Sequence, residues 1–85
     1  MIHVRFLGHI KSSMGADERE VSAMTVGELF SALLSEEPSG PAHGFTKYNT
    51  LVVVNDQEAF SASSEEARSL RDGDTVLLVP FSHGG

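Results

Sequence analysis

Hydrophobic and polar residues alternate from the start of the chain. Ile2, Val4 and Phe6 fall on one side of an extended backbone and His3 and Arg5 on the other, the period of two that predicts a half-buried strand over 2–7. Residues 8–15 contain two glycines and two serines, which predict a hairpin turn. Asp17-Glu18-Arg19-Glu20-Val21 then returns antiparallel as a short second strand. Beyond it the period changes. Val26, Leu29, Phe30, Leu33 and Leu34 recur at steps of three and four, predicting a helix with one apolar stripe about 100° wide. Its start is marked by Thr25, whose hydroxyl can cap the third helical amide, and by Glu28, whose carboxylate can reach back to the amide of the cap. Pro38 predicts its end. With Gly40, Pro41 and Gly44, it makes 36–49 a mobile loop within one domain, not a linker between two.

The second half is richer in β-branched residues. Leu51-Val52-Val53-Val54 predicts a central strand that turns at Asn55-Asp56, residue types that tolerate a left-handed backbone. Glu58-Ala59-Phe60 predicts a brief strand, and Ser63-Ser64-Glu65-Glu66-Ala67 a short helical turn capped by serine. Asp72-Gly73-Asp74 is a turn signal, and Thr75-Val76-Leu77-Leu78-Val79 a last strand that Pro80 must stop or confine to an edge. The order strand, strand, helix, strand, short strand, strand predicts an α+β fold, a mixed sheet packed on one main helix. With the first and last strands side by side in the middle, the helical crossover joins them in parallel and covers the apolar face. That is a β-grasp layout.

At 85 residues, the chain supports one core, a domain over 1–80 followed by a flexible tail over 81–85. Hydrophobic residues at 40% and charged residues at 21% place it among folding chains. The absence of cysteine excludes a disulfide framework, a thiolate metal site and a thiol nucleophile. A formal charge of −6 has the wrong sign for phosphate backbones, so no nucleic acid partner is expected. The alternating start lacks the character of a secretion signal, and the longest apolar stretch, 76–81, is far short of the roughly 20 residues that cross a bilayer. A cytoplasmic protein with no membrane partner is expected. His3, His9 and His43 share no ligand spacing, so no metal is expected. Nucleophile elbow, phosphate-binding glycine loop and motif-placed carboxylate pair are all missing, which disfavours an autonomous enzyme.

The candidate chemistry lies in Gly84-Gly85. Without a Cβ, glycine takes almost any backbone angle, so the pair can thread a channel too narrow for other residues. The five residues after Pro80 can reach about 17 Å. A terminal carboxyl is an anion at neutral pH, able to attack an electrophilic phosphorus. The last residue can therefore itself be the reactive group.

The opening Ile2-His3-Val4-Arg5-Phe6, Thr25-Val26-Gly27-Glu28-Leu29, Val53-Val54-Asn55-Asp56, Leu70-Arg71-Asp72-Gly73-Asp74-Thr75-Val76, and Pro80 followed by Gly84-Gly85 occur in the order seen in one family. In these features the chain resembles the MoaD/ThiS sulfur carriers, ubiquitin-like β-grasp proteins that include the small subunit of molybdopterin synthase. The resemblance implies that an adenylating enzyme of the MoeB/ThiF type, bringing ATP and magnesium, converts the Gly85 carboxylate into an acyl-adenylate. A sulfur donor protein then makes the thiocarboxylate. Gly85 would carry the sulfur and Gly84 would give the tail its slimness. Phe81, His83 and the exposed apolar residues of the last strand would meet a partner, His83 being alternatively a solvated tail residue. No cofactor would be stably bound. Delivery to molybdopterin, through the large subunit of its synthase, is the leading expectation. Carriers for molybdopterin commonly end in two prolines and a small residue before Gly-Gly, whereas Phe81 stands in place of the second proline here and His83 precedes the glycines. The His-Gly-Gly ending is similar to that of the ubiquitin-related modifier, which serves transfer-RNA thiolation and can be joined to lysines. A protein modifier attached through Gly85 and a non-covalent β-grasp interaction module are the alternatives.

Overall fold

A computed structural model of the chain describes residues 1–36 and 45–81. The elements are β1 (Ile2–Phe6), α1 (Gly8–Met14), β2 (Glu18–Val21), α2 (Val26–Glu36), a 3₁₀ turn (Lys47–Asn49), β3 (Thr50–Val54), β4 (Glu58–Ser61), a second 3₁₀ turn (Ala62–Ser64) and β5 (Thr75–Pro80). The strands form one sheet in the order β2-β1-β5-β3-β4. β1 and β5 run parallel at its centre, with Val4 opposite Val76 and Phe6 opposite Leu78, and the other pairings are antiparallel. This is the expected β-grasp arrangement.

The period of two in the strands separates two faces. Ile2, Val4, Phe6, Val52, Val54, Val76 and Leu78 point inward and are almost fully buried. Val26, Leu29, Phe30 and Leu33 of α2 meet them, while Leu34 is only half-buried at the rim. Each large side chain so buried contributes about 1.5–3 kcal/mol, offset by the entropy of ordering the chain. Three amides at the start of α2 that have no helical partner find one outside the helical ladder. Val26 N–H donates to the Arg68 carbonyl at 3.0 Å, Gly27 N–H to that of Glu66 at 2.9 Å, and Glu28 N–H to Thr25 Oγ1 at 3.1 Å. The Glu28 carboxylate reaches the amide of Met24 at 3.0 Å, one residue before the cap instead of the cap itself. The segment 65–70 thus fastens the head of α2, and Leu70 N–H completes the seam on the Met24 carbonyl at 2.9 Å.

Two local expectations are corrected. Residues 8–15 do not form a simple turn: α1 spans Gly8–Met14, burying Ile10, Ser13 and Met14, and ends at Gly15 in the left-handed region. The steps of three and four among those residues suit a helix, but the helix is too short to show periodicity. The helical turn expected over 63–67 lies instead at Ala62–Ser64, because Ala62 is drawn fully into the core. Other expectations hold: Asn55 and Asp56 both have positive φ, and α2 is helical to Glu36. Pro38 and most of the expected loop lie outside the described residues. Pro80 is the last residue of β5, a central strand, where β1 has already turned away into α1.

Gly8 occupies the position this turn demands. Its φ is +57°, and a Cβ there would stand 2.8 Å from Cγ of Pro80. Gly8→Ala should therefore cost about 2 kcal/mol in chemical denaturation, from the left-handed backbone and the displaced proline ring together. A loss below about 0.5 kcal/mol would show that the ring gives way freely.

Candidate functional site

The site is the end of the sheet from which the tail leaves, together with the sheet face that α2 does not cover. β5 ends at Pro80 between two supports. On one side lies α1, its Gly8 backbone beneath the Pro80 ring, and Leu7 N–H donates to the Leu78 carbonyl at 3.2 Å. On the other side lies the Lys47–Asn49 turn, whose Asn49 carbonyl accepts from Phe81 N–H at 2.9 Å. That turn is held by reciprocal bonds: Tyr48 N–H donates to Thr46 Oγ1 at 3.1 Å, and Thr46 N–H to Asn49 Oδ1 at 2.9 Å. Backbone and side-chain bonds thus fix where the tail begins.

On the open face, the alternate residues of β3 and β5 make a compact apolar patch. Leu51 lies opposite Val79 and Val53 opposite Leu77, and all four are half-buried. Arg5 neighbours Leu77, and beyond it the edge is charged. His3 lies between two carboxylates, with Nδ1 3.0 Å from Glu20 and Nε2 3.4 Å from Glu18. Phe81, half-buried, continues the apolar surface from β5 toward the tail. No group of three or more metal-ligating side chains occurs among the described residues.

The far end of the sheet is braced by a polar knot. Asp74 accepts from Arg71 N–H at 2.9 Å and from Asn55 Nδ2 at 3.1 Å, and Asn55 Oδ1 accepts from Thr75 N–H at 2.9 Å. The Arg71 amide first and Asn55 second hold the Asp74 carboxyl below the usual carboxylate range. A depressed pKa in the folded state stabilises the fold above the unfolded value, and that contribution disappears as pH falls through the folded value. An acid titration monitored by circular dichroism should therefore lose stability less steeply below about pH 4 in Asp74→Asn than in the parent chain. Identical slopes would remove Asp74 from the acid response.

Of the four residues expected at the site, Phe81 is placed at the tail exit, and His83, Gly84 and Gly85 lie outside the described residues. Leu77 and Val79 supply the expected apolar surface of the last strand. Leu51 and Val53, which complete it, are readable only once β3 is known to pair with β5. The flanking supports at α1 and at the Lys47–Asn49 turn had no separate signal, although Thr46 and Asn49 have the spacing of a cap.

A five-stranded mixed sheet of this order, crossed by one long helix, defines a ubiquitin-like β-grasp protein. Residues 4–85 match the ThiS family, and the chain belongs to that family. No curated protein matches its sequence. Among solved structures, a chain of the Amycolatopsis orientalis BexX/CysO complex is similar over 100% of both chains, with a TM-score of 0.73 and 22% identity. Small archaeal modifier protein 1 of Methanosarcina acetivorans has a TM-score of 0.75 and 16% identity over 99% of this chain and 95% of its own. A chain from the complex of subunits 1 and 2 of the Helicobacter pylori molybdopterin-converting factor has a TM-score of 0.60 and 25% identity, over 99% and 97%. No described helix is long and apolar enough to cross a membrane.

Proposed function

We propose that this protein carries sulfur on the carboxyl carbon of Gly85. An adenylating partner, supplying ATP and magnesium, joins the Gly85 carboxylate to the α-phosphorus of ATP and expels pyrophosphate. Sulfur from a donor protein then displaces adenosine monophosphate, a far better leaving group than oxide, and leaves a thiocarboxylate. The catalytic groups belong to the partner, and this chain contributes the tail, the sheet patch that docks it, and Phe81 between them. The observation that carries the reading is the family match, which runs from residue 4 through Gly84-Gly85. Molybdopterin is the acceptor we assign, with the large subunit of its synthase as the receiving partner. The likeness to a chain from the paired subunits of the Helicobacter pylori factor supports it.

Intact-protein mass spectrometry after incubation with ATP, the adenylating enzyme and a sulfur donor tests this reading. Replacement of one oxygen by sulfur should map to Gly85 and be lost when Gly85 is deleted. Neither adenylate nor thiocarboxylate with a competent partner would leave a non-covalent interaction module. Transfer of that sulfur to a molybdopterin precursor in the presence of the large subunit tests the acceptor. The His83-Gly84-Gly85 ending favours a second reading, attachment of Gly85 to lysines or service in transfer-RNA thiolation. A branched peptide on a target protein would support the former, and sulfur transfer to transfer RNA the latter.

A further inference from the structure

Pro80 ends β5 without an N–H to give, so the last described donor on this path is Phe81 N–H, which reaches the Asn49 carbonyl at 2.9 Å. That bond lies one step beyond the Thr50–Pro80 pair and carries the β3–β5 ladder past the end of both strands. Asn49 belongs to the 3₁₀ turn before β3, so no strand aims its carbonyl. Its own side chain does. Asn49 Oδ1 accepts from Thr46 N–H at 2.9 Å and lies 3.2 Å from the Thr50 hydroxyl, which donates to the Thr46 carbonyl at 2.7 Å. Asn49 N–H points to that same carbonyl at 3.2 Å. Thr50 is fully buried, so no water replaces a partner its hydroxyl loses. Thr46 and Thr50, the two ends of the turn, are thus tied through the residue whose carbonyl holds Phe81. The remaining cap, from Tyr48 N–H to Thr46 Oγ1 at 3.1 Å, does not involve the Asn49 side chain.

We infer that Asn49 is a positioning residue: its side chain sets the turn so that its main-chain carbonyl grips Phe81 N–H and keeps Phe81 in line with β5. Only the purpose of that alignment rests on the proposed function. Asn49 touches no reacting atom. It governs how much of the time the chain leaves the sheet in one direction, and so acts on turnover of the docked carrier. Docking itself is the work of the patch made by Leu51, Val53, Leu77 and Val79. Aspartate at position 49 keeps an acceptor for Thr46 N–H, whereas alanine removes it and leaves the turn with the Tyr48 cap alone.

Amide hydrogen exchange on the full chain tests this without a partner. A general loss of stability speeds Phe81 and the mid-strand amides of β5 alike, so the ratio of the two rates is the readout. Asn49→Ala should raise that ratio about tenfold, the loss of roughly one net hydrogen bond. Asn49→Asp should bring it back to within about twofold of the parent. Asn55→Ala removes a matched pair of side-chain bonds at the opposite end of the sheet and should leave the ratio unchanged. With the adenylating partner, Asn49→Ala should lower kcat about tenfold and leave KM within about twofold. A Phe81 amide unprotected in the parent, an unchanged ratio in Asn49→Ala, an equal rise in Asn49→Asp or Asn55→Ala, or a rise in KM with kcat untouched would overturn the inference. Absence of adenylate with the parent chain would count against the proposed function instead, because the Phe81 ratio is decided by exchange alone.

Discussion

Replacing Phe45 by alanine should lower the free energy of unfolding by about 3–5 kcal/mol. Phe45 has no exposed surface, and its ring meets that of Phe30 edge to face, with centroids 5.9 Å apart at 71°. That contact joins α2 to the start of the segment entering β3, so truncation empties a ring-sized volume and removes an aromatic pair at once. A domain of this size has roughly 5–15 kcal/mol in all, so much of the population should unfold under mild denaturant. Urea denaturation should show a lower midpoint with an unchanged slope. Phe45→Leu should recover most of the loss. An alanine variant within about 1 kcal/mol of the parent would mean that the core closes around the gap.

The largest functional effect is expected at the centre of the open face. Leu77→Glu should slow Gly85 adenylation by about 30-fold or more, the cost of losing a well-packed anchor of about 2 kcal/mol. Leu77 lies between Arg5 and Val53, is half-buried, and has no described helix above it, so a charge there should change stability by less than about 1 kcal/mol. The specificity constant for adenylation and a thermal melt separate the two effects. Met24→Glu is the control, because Met24 is 73% exposed and precedes α2 away from the patch. Equal losses in both variants would make the effect one of net charge. No loss in Leu77→Glu would move docking off this face.

The framework was legible where local pattern and tertiary demand agree. β1 announced itself by alternation, α2 by Thr25, Glu28 and its stripe, and the β3–β4 turn by Asn55-Asp56. The parallel centre followed from fitting a helical crossover between the first and last strands. α1 was hidden because its seven residues begin at Gly8 and are capped by Gly15, and the packing of Ile10 and Met14 beneath the sheet outweighs that turn-like composition. Phe45 was hidden for a similar reason. It follows a run rich in proline and glycine, and only its placement against Phe30 makes it core. At the site, Gly84-Gly85 and Phe81 were visible as chemistry and position. The patch needed strand order, because Leu51 and Val53 look no different in sequence from the buried Val52 and Val54 between and beside them.

The parallel pairing of β1 with β5 has a mechanical consequence. Tension applied between Ile2 and Phe81 acts along two neighbouring strands in opposite directions and loads their bridging hydrogen bonds in shear, all together. An antiparallel pair pulled from one end would open like a zipper, bond by bond. A machine hauling on the tail therefore meets its main resistance at the start, and the rate of giving way is set by the barrier to parting those two strands rather than by overall stability. Ile2 and Phe81 are thus joined through the part of the sheet best arranged to hold against such a pull.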